Sequence, residues 1–264
     1  MKNKTLSPEH EEELESLIFT GGGQDLILAE LKRLHAKKIR LFDLTKDINT
    51  TPLVIELTGT PRSGKTSCIN NIRDFFKKGG FEVELLEEPA NKINITTTNQ
   101  TQLKNISDVE FNHQTLKIAL DALENALKGN FDIILLDRGV LDNYIWYNMF
   151  YNQCKITLEE HKNYFENQIT NYKDLIDSLI ITFVDEKEAV KRDYLNSITL
   201  EPRRKINTDK IAEYNKSIDE VRPYFEKVVK DIFPLDTKDR SIVESSIVIA
   251  DHIMDVYEEK INQK

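Results

Sequence analysis

The sequence predicts an α/β fold, a three-layer architecture in which a five-stranded parallel sheet carries helices on both faces, with an N-terminal helical extension in front of it. Three observations carry this expectation. From residue 53 onward, short apolar or β-branched runs alternate with longer segments of helical spacing, as parallel strands joined by crossover helices require. A glycine-containing turn, Gly59 to Thr66, joins the first such strand to the helix after it. Two later strands end in carboxylates, Glu87-Glu88-Pro89 and Leu135-Leu136-Asp137.

Ser7-Pro8-Glu9 reads as a helix start, with Ser as N-cap and Pro at the first helical position. The acidic run from Glu9 to Glu15 is then its solvated end. Gly21-Gly22-Gly23 breaks the chain; no strand precedes it and no lysine follows it, so it reads as a joint rather than a phosphate cradle. Leu26, Ile27, Glu30, Leu31, Leu34 and Ile39 recur at helical spacing. Residues 1–50 thus form the extension, and 51–264 the main domain.

The first strand is Leu53-Val54-Ile55-Glu56-Leu57. A helix over 65–78 and a strand over 81–87 follow, then a helix over 108–128 and a strand over 132–137, whose Asp132–Leu136 run reads as central. Helices over 140–153 and 157–175 precede a strand at 178–184. A helix from Asp185, a basic loop over 197–206 and a long helix over 208–230 come next, then a short strand at 232–235 and a last helix over 240–260. The stretch 89–107, rich in Asn and Thr, predicts a loop or lid over a site. There is no internal repeat and no low-complexity linker.

The formal net charge of −9 argues against tracking a nucleic-acid backbone, which draws most of its energy from basic residues. Two cysteines, Cys68 and Cys154, make neither a disulfide framework nor a zinc set, and both read as small hydrophobes in a reducing compartment. The five histidines lack metal spacing. No apolar run has the length of a membrane span, and the acidic N-terminal segment does not read as a signal peptide, so the expected location is cytoplasmic.

Gly59-Thr60-Pro61-Arg62-Ser63-Gly64-Lys65-Thr66 fits the phosphate-loop pattern GxxxxGK followed by Ser or Thr, between a strand and a helix. Glycines let backbone N–H groups turn toward a polyphosphate, and the helix N-terminus, with Ser67 in its first turn, adds positive potential. Lys65 can bridge β- and γ-phosphates, and the Thr66 hydroxyl can ligate Mg²⁺. Asp137, at a strand end beside this loop, is the second metal candidate; Arg138 faces the phosphoryl groups or the acceptor, and Asp142, one turn later, orients that arginine. Glu88 sits where Pro89 stops the second strand and points it into the cleft at the carboxyl edge of the sheet. Arg192, on the helix after the fourth strand, and Arg203-Arg204-Lys205 in the basic loop form a cluster that can close over a transferring phosphate. The bland readings are a strand-end acid for Glu88 and a basic surface loop for the arginines.

Together these features resemble the P-loop nucleoside and nucleotide kinases, particularly thymidylate kinase and the deoxynucleoside kinases. The resemblance runs from Leu53 to the C-terminus. It rests on Gly59 to Thr66, Glu88-Pro89, Asp137-Arg138, Arg192 with Arg203-Arg204, and Pro234-Leu235-Asp236. It implies ATP with Mg²⁺, a lid, and acceptor-site residues on the helix that carries Phe111, Asn112, His113 and Gln114, with Gln114 matching a glutamine that reads the base edge. Residue 139 departs from the pattern: it is Gly where thymidylate kinases have an aromatic and deoxynucleoside kinases have Ser. Ala119 and Ala122 flank the place where those families carry an arginine.

The expected reaction is transfer of the γ-phosphoryl of ATP to a small acceptor. Arg62 in the loop tilts the expectation toward a nucleoside monophosphate. The alternatives are a (deoxy)nucleoside kinase and a nucleotide-binding regulatory ATPase without a small acceptor; a polynucleotide 5′-kinase is disfavoured by charge. The N-terminal helices have two readings, contact with a partner such as a second copy in a homodimer, or cover for one sheet edge.

Overall fold

A computed structural model of the chain describes residues 24–46, 51–96, 106–197 and 207–263. The helix start at 7–9, Gly21 to Gly23, and Arg203 and Arg204 with most of the basic loop lie outside the described residues. The strands are β1 (Leu53–Gly59), β2 (Val83–Leu86), β3 (Ile133–Asp137), β4 (Ser178–Phe183) and β5 (Asp231–Asp236). They form one parallel sheet in the order β2-β3-β1-β4-β5.

Alternation along each strand divides the interior into two cores. Leu53, Ile55, Leu57, Ile133, Leu135 and Ile180 face one core. Val54, Ile134, Leu136, Leu179 and Ile181 face the other. The helices are α1 (Gln24–Thr45), α2 (Lys65–Lys77), α3 (Pro89–Thr96), α4 (Asp108–Leu127), α5 (Val140–Asn152), α6 (Leu158–Tyr164), α7 (Glu186–Ser197), α8 (Thr208–Phe225) and α9 (Ile242–Asn262). Residues of α2 and α9 fill the first core, and residues of α4, α5, α6 and α8 the second. Both faces of β1 and β3 are fully buried, which is why they read as nearly continuous apolar runs.

Several expected boundaries shift. The stretch expected as a loop from residue 89 begins as helix α3, because Pro89 is compatible with a first helical turn as well as with a strand stop. The expected helix over 157–175 is broken: α6 runs into a π-helical turn at Phe165–Ile169 and a 3₁₀ turn at Thr170–Tyr172. Hydrophobic spacing does not record such a one-residue widening of the ladder. Strand β2 is shorter than 81–87, and α8 ends at Phe225 rather than 230. Cys68 is buried as expected, whereas Cys154 is exposed in a turn with φ of 55°.

Helix α1 packs on α9 and the end of α2. Arg33 and Lys37 pair with Asp251 at 2.7 Å each, Lys37 with Asp255 at 2.6 Å, and Arg40 with Glu258 at 2.6 Å. Its buried face is Leu34, Lys38 and Leu41, not the line through Leu31 and Ile39, which are exposed. Lys38 takes a core position because its Nζ donates to the Phe75 carbonyl at 2.8 Å and lies 4.0 Å from the centre of the Phe75 ring.

The junction between β1 and the phosphate loop is tightly constrained. Gly59 has φ of 129°, and a Cβ there would overlap the Thr182 carbonyl of β4. Backbone strain and overpacking each cost on the order of 1–3 kcal/mol, so Gly59→Ala is expected to lose about 3 kcal/mol or more of stability. Urea unfolding checks this; a loss below about 1 kcal/mol would show that the two strands do not approach this closely.

Candidate active site

The loop after β1 turns on two left-handed residues, Arg62 with φ of 67° and Gly64 with φ of 94°. Such alternation aims successive N–H groups into one concavity, and the N-terminus of α2 opens onto the same place. The loop is braced from below. Thr60 N donates to Thr182 O at 2.9 Å, and the Ser63 and Thr182 hydroxyls are 2.7 Å apart. Thr60 Oγ1 donates to Asn215 of α8 at 2.6 Å. Gly59, Thr60, Pro61, Arg62, Ser63, Gly64, Lys65, Thr66 and Ser67 thus form one continuous wall, with Thr66 and Ser67 exposed in the first turn of α2.

Lys65 is buried, and its ammonium donates to Gly59 O at 2.8 Å and Thr60 O at 2.7 Å. Burial, with Arg138 nearby, brings its pKa down to about 7. Thr66 Oγ1 donates to Asp137 Oδ2 at 2.7 Å, joining the two residues expected to hold a metal. The other carboxylate oxygen, Asp137 Oδ1, is buried without a hydrogen-bond partner. An oxygen ligand left free next to a hydroxyl and a phosphate cradle suits Mg²⁺, which takes one or two protein oxygens plus phosphate. The described residues contain no group of three or more His, Cys, Asp or Glu that could hold an ion by themselves.

Arg138, at φ of 58°, points back across the end of β1. Its guanidinium pairs with Asp142 at 2.8 Å and Glu88 at 3.4 Å, and donates to Gly59 O at 3.3 Å. Asp142 is gripped from four sides, by Arg138, the Thr58 hydroxyl, Tyr214 OH at 2.7 Å and Trp146 Nε1 at 3.0 Å. Burial alone would raise its carboxyl, but Arg138, Thr58 and Tyr214 outweigh that and hold it below its ordinary value. Burial pushes the Glu88 carboxyl up, against the pull of Arg138.

A cavity of about 320 Å³ opens beside these groups. Pro61, Glu88 and Arg138 line the end at the loop; Phe111, Trp146 and Phe150 supply flat apolar walls. A larger cleft of about 420 Å³ between α1, α9 and β5 takes no residue from the loop and lies apart from this chemistry.

Not every sequence candidate reaches the cavity. Gln114 hydrogen-bonds Glu110 on its own helix at 3.2 Å, and Asn112 and Thr115 line the cavity instead. Gln114 falls roughly a third of a turn away from that face. Arg192 donates to Thr237 O at 2.7 Å and Lys238 O at 3.0 Å, and its neighbour Asp193 pairs with Arg62 at 2.5 Å. Arg62 is thereby drawn toward α7.

Sequence reading missed Tyr214, Trp146, Thr58 and Glu56. Glu56 carried a signal, a lone acid in an otherwise apolar strand. It is fully buried and accepts from the backbone N–H groups of Gly139, Leu141 and Asp142. Burial lifts its pKa to about 7 even though those amides lower it.

The fold is that of known nucleoside kinases. A deoxyadenosine kinase from M. mycoides with bound dATP superposes with a TM-score of 0.54 and 19% identity, over 77% of this chain and 100% of that one. The same kinase with dCMP and a flexible dCDP gives 0.54 and 20%, over 77% and 99%, and with dCTP 0.53 and 18%, over 77% and 99%. No curated protein matches the sequence. The family model described as an AAA domain matches residues 54–219, from the first strand through the phosphate loop to the helix that bears Tyr214, and on that span the chain belongs to the AAA domain family.

Proposed function

We propose that the chain transfers the γ-phosphoryl group of ATP to a hydroxyl of a nucleoside-type acceptor. The observation that carries this is the single cavity shared by Pro61 of the phosphate loop, Glu88 and Arg138. The expectation of a monophosphate acceptor leaned on Arg62. With Arg62 paired to Asp193, Arg138 is the one arginine among the described residues that line the cavity, flanked by Glu88 and Asp142. A carboxylate beside the reacting oxygen repels an anionic acceptor and suits a neutral hydroxyl, whose proton it can accept. The shared fold with a deoxyadenosine kinase supports the same class.

In this reading the backbone of residues 59–64 and the Lys65 ammonium bind the donor phosphates. Thr66 and Asp137 would hold Mg²⁺, which supplies charge neutralisation at the β- and γ-phosphates. Glu88 takes the acceptor proton as the acceptor oxygen bonds to the γ-phosphorus and ADP departs. Arg138, held by Asp142, faces the charge that develops. The aromatic walls position the acceptor and exclude water, a competing acceptor. The AAA domain match favours a second reading, an ATPase module without a small acceptor.

ADP release measured against a panel of nucleosides and nucleoside monophosphates separates these. Stimulation by nucleosides is expected, with Glu88→Gln lowering turnover by about two to four orders of magnitude. Stimulation by monophosphates alone would reverse the acceptor assignment, and acceptor-independent hydrolysis would leave the ATPase reading.

Lys65 gives a test that needs no acceptor. The unfolded chain keeps this lysine protonated to its ordinary pKa of 10.5, whereas the folded chain releases the proton at about 7. Stability attributable to Lys65 therefore rises with pH across that window. The unfolding free energy of wild type minus that of Lys65→Met should grow by about 2 kcal/mol between pH 7 and pH 9. An unchanged difference in urea melts would show that the ammonium is solvated.

A further inference from the structure

Helix α5 begins without a local cap: its N-cap residue is Gly139, which has no side chain to accept the first free N–H groups. Uncapped amides inside a protein cost free energy, and these lie beside Arg138 and Asp142. Glu56, from the adjacent strand β1, meets them. Its Oε1 accepts from Gly139 N and Leu141 N at 3.0 Å each and from Asp142 N at 2.9 Å, and Oε2 lies 3.2 Å from Leu141 N. Leu141 and Asp142 are the second and third positions of the helix, the amides a capping Ser or Asp would normally bind.

Glu56 and Gly139 are also matched in shape. A Cβ at residue 139 would stand 2.7 Å from Glu56 Oε2 and 2.9 Å from its Cδ. The carboxylate occupies the space that a capping side chain at 139 would need. Glu56 lies on the strand face that looks into the core under α5, and its carboxylate is compensated there by these backbone amides.

We propose that Glu56 is a positioning residue for the acceptor site: it caps α5 from the neighbouring strand and so fixes the backbone that presents Arg138 and Asp142. Arg138 immediately precedes the cap and Asp142 donates its own N–H to Glu56, so both are tied to one buried carboxylate. The effect on turnover rests on the phosphotransferase reading; the cap itself does not.

The test is a double-mutant cycle between Glu56→Ala and Gly139→Ser. Each single change should harm the protein, the first by leaving three buried amides unpaired and the second by overlap with Glu56. The double change should remove the overlap and repair most of the capping loss, because a serine hydroxyl at the N-cap can bind the Leu141 and Asp142 amides in the space vacated, leaving the amide of residue 139. The other of the three nearest atoms to that Cβ, Leu136 Cδ2 at 2.7 Å, is the end of a flexible side chain. Trp146 is the only tryptophan and hydrogen-bonds Asp142, so its emission reports the orientation of that carboxylate without any substrate.

Glu56→Ala is expected to red-shift the emission and lower kcat at least about tenfold while KM for ATP changes less than about threefold, the pattern of a lost transition-state contact. The double variant should recover emission, melting temperature and most of kcat. Glu56→Gln, which keeps the shape and one acceptor, should fall between wild type and Glu56→Ala. A double variant no better than the worse single one would overturn the proposal, as would a Glu56→Gln protein with wild-type emission and kcat if Glu56→Ala does not fold. If wild type itself shows no acceptor-dependent turnover, the kinase reading fails, and the emission and melting data still decide the cap.

Discussion

The active edge of this protein depends on how closely the end of β1 lies against β4. Only a residue without Cβ fits at 59, under the Thr182 carbonyl, and that approach sets the height from which the phosphate loop rises. Thr60 N and the Ser63 hydroxyl then both fasten to Thr182, so the loop is held by the strand beneath it before any ligand arrives. Lys65 folds back on the loop carbonyls within the same frame. A loop braced this way is preorganised, the property that electrostatic stabilisation by phosphate-binding loops draws on.

The same edge concentrates charge in a place with little water. Lys65, Asp137 and Asp142 are buried, with Arg138 and Glu88 partly exposed beside them. Desolvation of this kind costs more than a single ion pair returns, and well-packed apolar side chains would often serve stability better. The displaced pKa of Lys65 is a direct sign of that cost. A buried charge cluster at the carboxyl ends of parallel strands marks a candidate functional site, since perturbed groups of this kind gather at such sites.

The scaffold was readable where the physics is local. Strands buried on both faces give unbroken apolar runs, and the phosphate loop declares itself through glycine spacing, so the sheet, its crossover helices and the Lys65–Thr66–Asp137 neighbourhood follow from short stretches of sequence. What escaped reading depends on groups far apart in the chain. Glu56 lies some eighty residues from the amides it binds, Tyr214 joins Asp142 from beyond the basic loop, and Asp193 draws Arg62 toward α7. The Lys38 position on α1 misled for a related reason: a long amphipathic side chain filled a core site that hydrophobic spacing assigns to an aliphatic one. Gln114 against Asn112 is a difference of helical phase, which depends on how α4 is rotated against α5.

These long-range ties also connect the two halves of the site. Thr58, one residue before the loop glycine, donates to Asp142, and Tyr214 on α8 donates to the same carboxylate. Asn215, the next residue on α8, accepts from Thr60 within the loop. Helix α8 thus touches the loop through Asn215 and the cavity-lining Asp142 through Tyr214, while Asp142 holds Arg138 between them. In a low-dielectric interior such a network is high-stakes, because one missing partner strands the others. Its members therefore hold each other in a single arrangement. That arrangement places Arg138 within reach of both the loop carbonyl of Gly59 and the Glu88 carboxylate, at the boundary that a phosphoryl group would have to cross.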